Sequence, residues 1–210
     1  MKAKLIKINP DNPQQNKIEE VVQILQKGGV IIYPTDTVYG IGCDIFNNKA
    51  VQRVCRLRNI DPYKMNLSFI CYDLSDISRY TSGLDNAVFK VMKKALPGPF
   101  TFVLKASSKV PRILDTNKHT VGIRIPNHNI PRLLVKELGN PIITASLKDD
   151  DDEVLEYLTD PELMYERYEK LVDAVIDAGP GGIKPSTIVD FTSGEAEIIR
   201  EGLGDIEKYF

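Results

Sequence analysis

Short apolar runs alternate along the chain with segments in which apolar residues recur every three or four positions. The first pattern is typical of buried strands and the second of helices that pack on one face. The apolar runs predict strands at 5–8, 30–33, 67–72, 100–106, 120–125, 141–146, 172–179, 186–191 and 196–202. The helical spacing predicts helices at 16–29, 49–58, 85–96, 130–138 and 161–171. This alternation predicts an α/β fold with a largely buried mixed sheet and helices on its faces.

Residues near the helix ends sharpen two of these predictions. In the first helix, Asn16 and Glu19 have the spacing of a capping box, and Gly28 is a typical helix stop. Asp85 is predicted to be the N-cap of the third helix, because its carboxylate can accept from the first free backbone N–H groups.

Composition excludes several classes of protein. The 210 residues carry a formal net charge of −2, whereas a dedicated nucleic-acid binder usually has a basic excess. Contact with RNA would therefore require a local basic patch. No apolar run approaches the roughly 18 residues of a membrane span, and the N-terminal stretch is too polar for a signal peptide. We expect no membrane partner and a cytoplasmic location.

The cysteines and the acidic tract give no sign of a metal centre. Cys43, Cys55 and Cys71 are an odd number without a CxxC spacing. We expect buried, reduced thiols rather than a disulfide framework or a zinc site. The four aspartates at 149–152 favour a solvated loop over a magnesium site, because consecutive carboxylates rarely converge on one ion.

The segment PTDTVYG, residues 34–40, follows an apolar strand with four hydrogen-bonding side chains between a proline and a glycine. A turn needs the proline and the glycine but not the polar groups. Further hydroxyls and arginines stand at the ends of later strands: Arg124, Ser146, Ser186, Thr187 and Arg200. Because ligands of α/β sheets bind at strand ends, this pattern predicts a site for a small polar substrate and a phosphate.

Arg124 allows two interpretations. Val121, Ile123 and Ile125 alternate along its strand, so Arg124 points to the opposite face together with Gly122. If that face meets solvent, the arginine is an ordinary solvated side chain. If the face is closed, its planar fork is a clamp for a carboxylate or a phosphate.

Arg56 and Arg58 lie at the C-terminal end of a predicted helix, where cations are favoured by the helix dipole. The alternative is that they hold a triphosphate, with Lys64 and Asn66 closing over it. No GxxxxGK[ST] or GxGxxG motif is present, so a nucleotide would be held by side-chain cations. His119 and His128 belong to no G-x-S-x-G, HExxH or Cys–His arrangement, which leaves a site made of binding groups.

Five segments, YPTDTVYGIG, PGPFTFVL, TVGIRIPNH, STIVDF and IIREG, occur in the order found in the YrdC/YciO family, which the chain resembles from about residue 17 to about residue 207. The resemblance implies one YrdC-like domain over residues 1–210, with an open twisted sheet around a deep, positively charged cavity. YrdC-type members are threonylcarbamoyladenylate synthases. They use L-threonine, bicarbonate and ATP to supply the threonylcarbamoyl group of a modified adenosine in tRNA.

The resemblance also implies roles for particular residues. Threonine would contact Thr35, Arg124 and Ser186. ATP would contact Arg58, Asn66, Thr120, Ser146 and Arg200. Catalysis would rest on Arg56, Arg58 and Arg124. Mg²⁺ would arrive with ATP rather than on a protein site, and the partners would be proteins of the tRNA-modification complex and an RNA, either tRNA or double-stranded RNA.

Three positions depart from the YrdC pattern and resemble the YciO branch. Arg56 replaces the lysine of the family's K-x-R motif, Lys148 replaces the asparagine of its S-x-N motif, and Cys71 replaces a histidine. The segment between Arg58 and Asn66 is also longer. Three functions therefore remain open: the synthase, an RNA-binding translation-associated protein with weak or no synthase activity, and a related group-transferring enzyme with another small substrate.

Overall fold

The computed structural model describes residues 2–61, 67–114, 119–147 and 158–209. The strands in this part of the chain are β1 (Lys4–Lys7), β2 (Ile31–Tyr33), β3 (Gly40–Gly42), β4 (Ser68–Ile70), β5 (Phe100–Lys105), β6 (Thr120–Arg124), β7 (Ile142–Ser146), β8 (Ala174–Asp177), β9 (Thr187–Asp190) and β10 (Glu197–Arg200). They form one mixed sheet in the order β1-β8-β2-β3-β7-β4-β6-β5-β9-β10.

The helices of the described residues are α1 (Gln15–Gln26), α2 (Asn48–Leu57), α3 (Leu74–Tyr80), α4 (Asn86–Ala95), α5 (Asn129–Leu138) and α6 (Pro161–Tyr168). A 3₁₀ turn at Arg112–Leu114 follows β5. Within these same residues, none of the helices has the length and apolar character needed to cross a membrane.

Every strand and helix that the sequence pattern predicts is present, with ends that differ by a few residues, and the mixed α/β sheet is confirmed. The pattern misses β3 and α3. In β3 a single apolar residue, Ile41, stands between two glycines, so the segment has no strand signal of its own. The helix α3 has seven residues, which is too short for its spacing to stand out.

The helix ends confirm two signals and correct one. The capping box of Asn16 and Glu19 is wrong, because α1 begins at Gln15 and its N-cap is Gln14, whose side chain makes no capping hydrogen bond. Gly28 follows the end of α1 with a φ of +83°, the left-handed backbone that favours glycine at a helix stop. Asp85 caps α4 as predicted and accepts a hydrogen bond from the Ala87 N–H group.

Apolar packing divides the two faces of the sheet unequally. Residues of α2, α3, α4 and α6 pack with one face in the larger buried cluster. On the other face, α1 and α5 pack in a second buried cluster that includes Tyr33, Ile70 and Ile142. Beyond this cluster the second face carries few large apolar residues, such as Val103, which pairs with Gly122.

Small and hydroxylated residues occupy that part of the sheet. Ser68 pairs with Gly122 on one side and with Thr144 on the other, and paired residues share a face. Because alternate residues of a strand also share a face, we define the polar sheet face by its members on four adjacent strands. These members are Ser68, Thr101, Thr120, Gly122, Thr144 and Ser146.

Gly42 is predicted to be far less tolerant of substitution than Gly40 in the same strand. A Cβ atom at Gly42 would lie 1.8 Å from the Ile143 carbonyl oxygen, which is backbone and cannot move aside. At Gly40 the nearest atoms belong to side chains, with the Thr144 Oγ1 atom at 3.1 Å. We expect Gly42→Ala to lower the free energy of unfolding by about 2–3 kcal/mol and Gly40→Ala by less than about 1 kcal/mol, measured by urea denaturation. Equal losses would contradict the tight β3–β7 contact.

Candidate functional site

A cleft of about 430 Å³ opens where three parallel strands end. The strands β1, β8 and β2 run parallel, so the loops that follow them meet at one edge of the sheet. These loops contribute Pro10, residues 34–37 and residues 178–184 to the cleft wall, together with Tyr39, His128 and Leu203. The polar segment PTDTVYG is therefore the loop that follows β2 into the cleft.

Hydrogen bonds within this loop fix its hydroxyl groups. The Thr35 Oγ1 atom donates to the Val38 carbonyl oxygen at 2.7 Å and accepts from the Thr37 N–H group at 3.1 Å. The two hydroxyls of Thr35 and Thr37 lie 3.0 Å apart. Both threonines are buried, so the loop presents an ordered polar wall rather than free side chains.

Arg124 is buried, which rules out the solvated interpretation of this residue. Its Nη2 atom donates to the Asp36 Oδ1 atom at 2.9 Å and to the Thr37 Oγ1 atom at 3.0 Å. The Asp36 Oδ2 atom accepts from the Asn127 N–H group at 2.9 Å. Burial lowers the pKa of Arg124, and the neighbouring carboxylate of Asp36 opposes this effect. The loop after β2 is thus tied to the end of β6.

The other two nitrogens of the Arg124 guanidinium group have no partner among the described residues. Its Nε atom is buried and has no hydrogen-bond partner. Its Nη1 atom makes no hydrogen bond to the described residues either. Buried donors are almost always paired in folded proteins, so the unpaired Nε–H group makes Arg124 a candidate to bind an anionic group.

His128 lines the same cleft and also caps α5. Its Nδ1 atom accepts from the Ile130 N–H group at 3.3 Å, which assigns the proton of the neutral ring to Nε2. Burial lowers the pKa of His128, while Asp36 and Asp11 oppose the shift. The ring is therefore a neutral donor at the cleft near neutral pH.

Two glycines let the loop after β8 pack against the loop after β2. A Cβ atom at Gly182 would lie 2.2 Å from the Thr37 carbonyl oxygen, and one at Gly181 would lie 2.5 Å from the Tyr39 ring. The Tyr39 hydroxyl donates to the Gly179 carbonyl oxygen at 2.8 Å, and burial raises the pKa of Tyr39 to about 12. Tyr39 remains a neutral phenol that joins the two walls of the cleft.

Two other predicted residues, Ser186 and Arg200, meet at the polar sheet face. The Ser186 Oγ atom lies 2.8 Å from the Thr101 Oγ1 atom. Arg200 donates to the Ser186 carbonyl oxygen from Nη2 at 2.9 Å and from Nε at 3.2 Å. The register places Thr120 and Ser146 on the same face, toward the end of the sheet opposite Arg124.

The remaining predicted residues are not gathered in the cleft. Arg58 is buried as the C-cap of α2. Arg56 is exposed and lines a different cleft of about 570 Å³ beside Cys55 and Asp61. Asn66 lies outside the described residues, as do Lys64, Lys148 and the aspartates 149–152.

The three cysteines are free and buried, as the sequence predicts. Burial raises the pKa of the Cys71 thiol well above its usual range, so Cys71 is a packing residue. Within the described ranges, no group of three or more histidine, cysteine, aspartate or glutamate side chains could hold a metal ion.

The sequence pattern predicted neither the partners of Arg124 nor the contribution of the loop after β8, residues 178–184, which forms the second wall of the cleft. Asp36 and Thr37 belong to a segment that the pattern singles out, but nothing in their spacing pairs them with an arginine 88 and 87 residues later. The only signal for the second wall is the glycine pair at 181 and 182. The predicted positive charge of the cavity stays a prediction.

The fold and the site together define a single-domain α/β protein with a ligand cleft beside a polar sheet face. The Sua5/YciO/YrdC family model, described as telomere recombination, matches residues 23–202. The chain therefore belongs to the Sua5/YciO/YrdC family.

Two relatives show the range of this family. YciO of Escherichia coli strain K12, described as an uncharacterised protein, is 42% identical over 203 residues, which cover 96% of this chain and 97% of the relative. The threonylcarbamoyl-AMP synthase of Coxiella burnetii is 28% identical over 180 residues, which cover 85% of this chain and 94% of that enzyme.

Two crystal structures have the same fold. The structure of E. coli YciO superposes with a TM-score of 0.92 at 40% identity, covering 99% of this chain and 100% of YciO. The structure of P. abyssi Sua5 complexed with L-threonine superposes with a TM-score of 0.87 at 25% identity, covering 98% of this chain and 60% of that chain.

His128 is predicted to titrate below its usual pKa of 6.5, because burial disfavours the imidazolium and because a protonated Nδ1 atom cannot accept from the Ile130 N–H group. Its pKa is lower in the native state than in the unfolded chain. The stabilising contribution is therefore present above 6.5 and is lost as the pH falls through the native pKa.

An NMR titration of the histidine ring signals, assigned with His128→Asn, tests this prediction. Asparagine is a good N-cap that does not titrate, so the variant should lose less stability than the wild type between about pH 7 and about pH 5. A His128 signal that titrates above 6.5 would contradict the assigned environment.

Proposed function

We propose that this protein synthesises L-threonylcarbamoyladenylate from L-threonine, bicarbonate and ATP, for the threonylcarbamoyl modification of tRNA. The observation that carries the proposal is the buried Arg124, whose Nε atom has no partner and whose Nη2 atom contacts Asp36 and Thr37 of the cleft wall. A guanidinium N–H group without a partner can form a charge-assisted hydrogen bond to a carboxylate. An amino acid brings such a carboxylate.

Two relatives support the choice of reaction and substrate. The Coxiella burnetii protein is named a threonylcarbamoyl-AMP synthase, and it aligns with most of this chain. P. abyssi Sua5 binds L-threonine in its crystal structure and has the same fold. We infer that threonine enters the cleft beside Thr35 and Arg124, and the role of Ser186 rests on the resemblance alone.

We assign ATP to the polar sheet face and its neighbours, away from Asp36. Arg200 would supply positive charge for the phosphates, and Thr120 and Ser146 would supply hydroxyls. Arg58, at the end of α2, and Asn66 are assigned to ATP from the resemblance alone. Mg²⁺ would come with the phosphates, because hard oxygen ligands suit it. Arg56 keeps its proposed role beside the triphosphate.

The chemistry proposed is a carboxylation followed by a nucleotidyl transfer. The threonine amine takes up bicarbonate with loss of water to form a carbamate. A carbamate oxygen then attacks the α-phosphorus of ATP, and pyrophosphate leaves. The protein would contribute through positioning and through neutralising charge at the phosphates, which are the main sources of catalysis in phosphoryl chemistry.

The alternative function is an RNA-binding, translation-associated role with weak or no synthase activity. Its basis is the similarity to E. coli YciO and the family departures at Arg56, Cys71 and Lys148. A third candidate is a related transferring enzyme with another small substrate. Binding of RNA, contacts with tRNA-modification proteins and a cytoplasmic location stay predictions.

One assay separates these functions. Purified protein is mixed with ATP, Mg²⁺, bicarbonate and labelled L-threonine, and both pyrophosphate and labelled adenylate are measured. We expect both products to form in equal amounts and to depend on bicarbonate. Products with a different amino acid would favour the third candidate. No product, together with tight binding of tRNA or double-stranded RNA, would favour the RNA-binding alternative and contradict the proposal.

The variant Arg124→Lys tests whether the guanidinium group of Arg124 binds threonine. Lysine keeps the charge but loses the planar fork, so we expect the KM for threonine to rise by about 10-fold or more while the KM for ATP changes little. Arg79→Lys is the matched control, because Arg79 is an exposed arginine of α3 that stacks on Tyr80. An unchanged KM for threonine in Arg124→Lys would remove this residue from the substrate site.

A further inference from the structure

We propose that Asp36 binds the ammonium group of the substrate, so that the Asp36–Arg124 pair recognises a free α-amino acid as a zwitterion. The inference rests on the proposed function and adds a second charged contact to it. It assigns the cleft to molecules that carry an ammonium and a carboxylate group on one carbon atom. Amino acids blocked at the nitrogen and simple carboxylic acids would be excluded.

The Asp36 carboxylate has unused acceptor capacity at the cleft. Its Oδ1 atom accepts from Arg124 and its Oδ2 atom from the Asn127 N–H group. An ionised carboxylate offers about four acceptor positions, so about two remain. Asp36 also lines the cleft, which places those positions where a ligand can reach them.

The two bonds that Asp36 does make hold it in one orientation. Arg124 contacts one carboxylate oxygen and a backbone N–H group contacts the other, so the group cannot rotate away. Its side chain is also only 9% exposed. A binding group fixed in advance loses little entropy when the ligand arrives, which strengthens each contact.

The charges at the cleft match a zwitterion better than an anion. Asp36 and Lys184 are the charged side chains among the described residues that line it, and Lys184 is exposed. Burial keeps His128 neutral near neutral pH. The Arg124 guanidinium group lies beside the Asp36 carboxylate, so the site offers one positive and one negative group side by side. A triphosphate would be repelled by Asp36, whereas an amino acid meets both groups with the opposite charge.

A pair of ligands isolates the ammonium contact. L-Threonine and (R)-3-hydroxybutanoate share the carboxylate and the β-hydroxyl, and only threonine carries the ammonium group. Both are titrated by calorimetry into the wild-type chain and into Asp36→Asn, which is isosteric but neutral. The control is Asp85→Asn, since asparagine can replace the α4 cap there.

We expect the wild-type protein to bind threonine at least about 10-fold more tightly than 3-hydroxybutanoate. In Asp36→Asn, threonine should weaken by about 10- to 100-fold while 3-hydroxybutanoate changes by less than about threefold. The preference for the amino acid then disappears. Asp85→Asn should keep the wild-type ratio.

Other outcomes overturn the proposal, and they can be told apart. If Asp36→Asn weakens both ligands equally, Asp36 only positions Arg124. If the wild type binds 3-hydroxybutanoate as tightly as threonine, no ammonium contact exists, and this result does not depend on the folding of any variant. If the wild type binds neither ligand, the proposed function fails and the inference fails with it.

Discussion

The ion pair between Arg124 and Asp36 is the interaction on which the candidate site depends. Three strands separate β6 from β2 in the sheet, and this pair joins their ends across the polar face. A buried guanidinium group is costly unless charge and hydrogen bonds compensate it, and Asp36 with Thr37 compensates only one of its nitrogens. The same pair holds the loop after β2 against the sheet. The Arg124–Asp36 ion pair therefore both positions the loop and places the guanidinium group of Arg124 at the candidate site.

The unequal faces of the sheet explain how such a site can exist. The larger buried cluster packs four helices against one face, and that packing supplies most of the buried apolar surface. The other face is covered by two helices, which leaves glycine, serine and threonine residues beyond them. Small residues are required there, because a Cβ atom at Gly122 would lie 2.5 Å from the Ser68 Oγ atom. Binding is assigned to the part of this face that α1 and α5 do not cover.

Sequence reasoning predicted the elements and the chemical types of the site, but not how they meet. Hydrophobic spacing is a local signal, so it found the long elements and missed the three-residue β3 and the short α3. It also singled out Arg124 and the PTDTVYG segment. The burial of Arg124 and its pairing with Asp36 depend on the strand order. That order brings together two residues that are 88 positions apart in the sequence. No spacing rule contains that information, and the family resemblance assigned no role to Asp36.

The central claim is that the guanidinium group of Arg124 receives the carboxylate of an amino acid. A crystal structure of the protein saturated with L-threonine tests it most directly. The account predicts the threonine carboxylate within hydrogen-bond distance of the Nε or the Nη1 atom of Arg124, with the contact to Asp36 kept. Threonine bound elsewhere, with the Nε atom of Arg124 still unpaired, would contradict it.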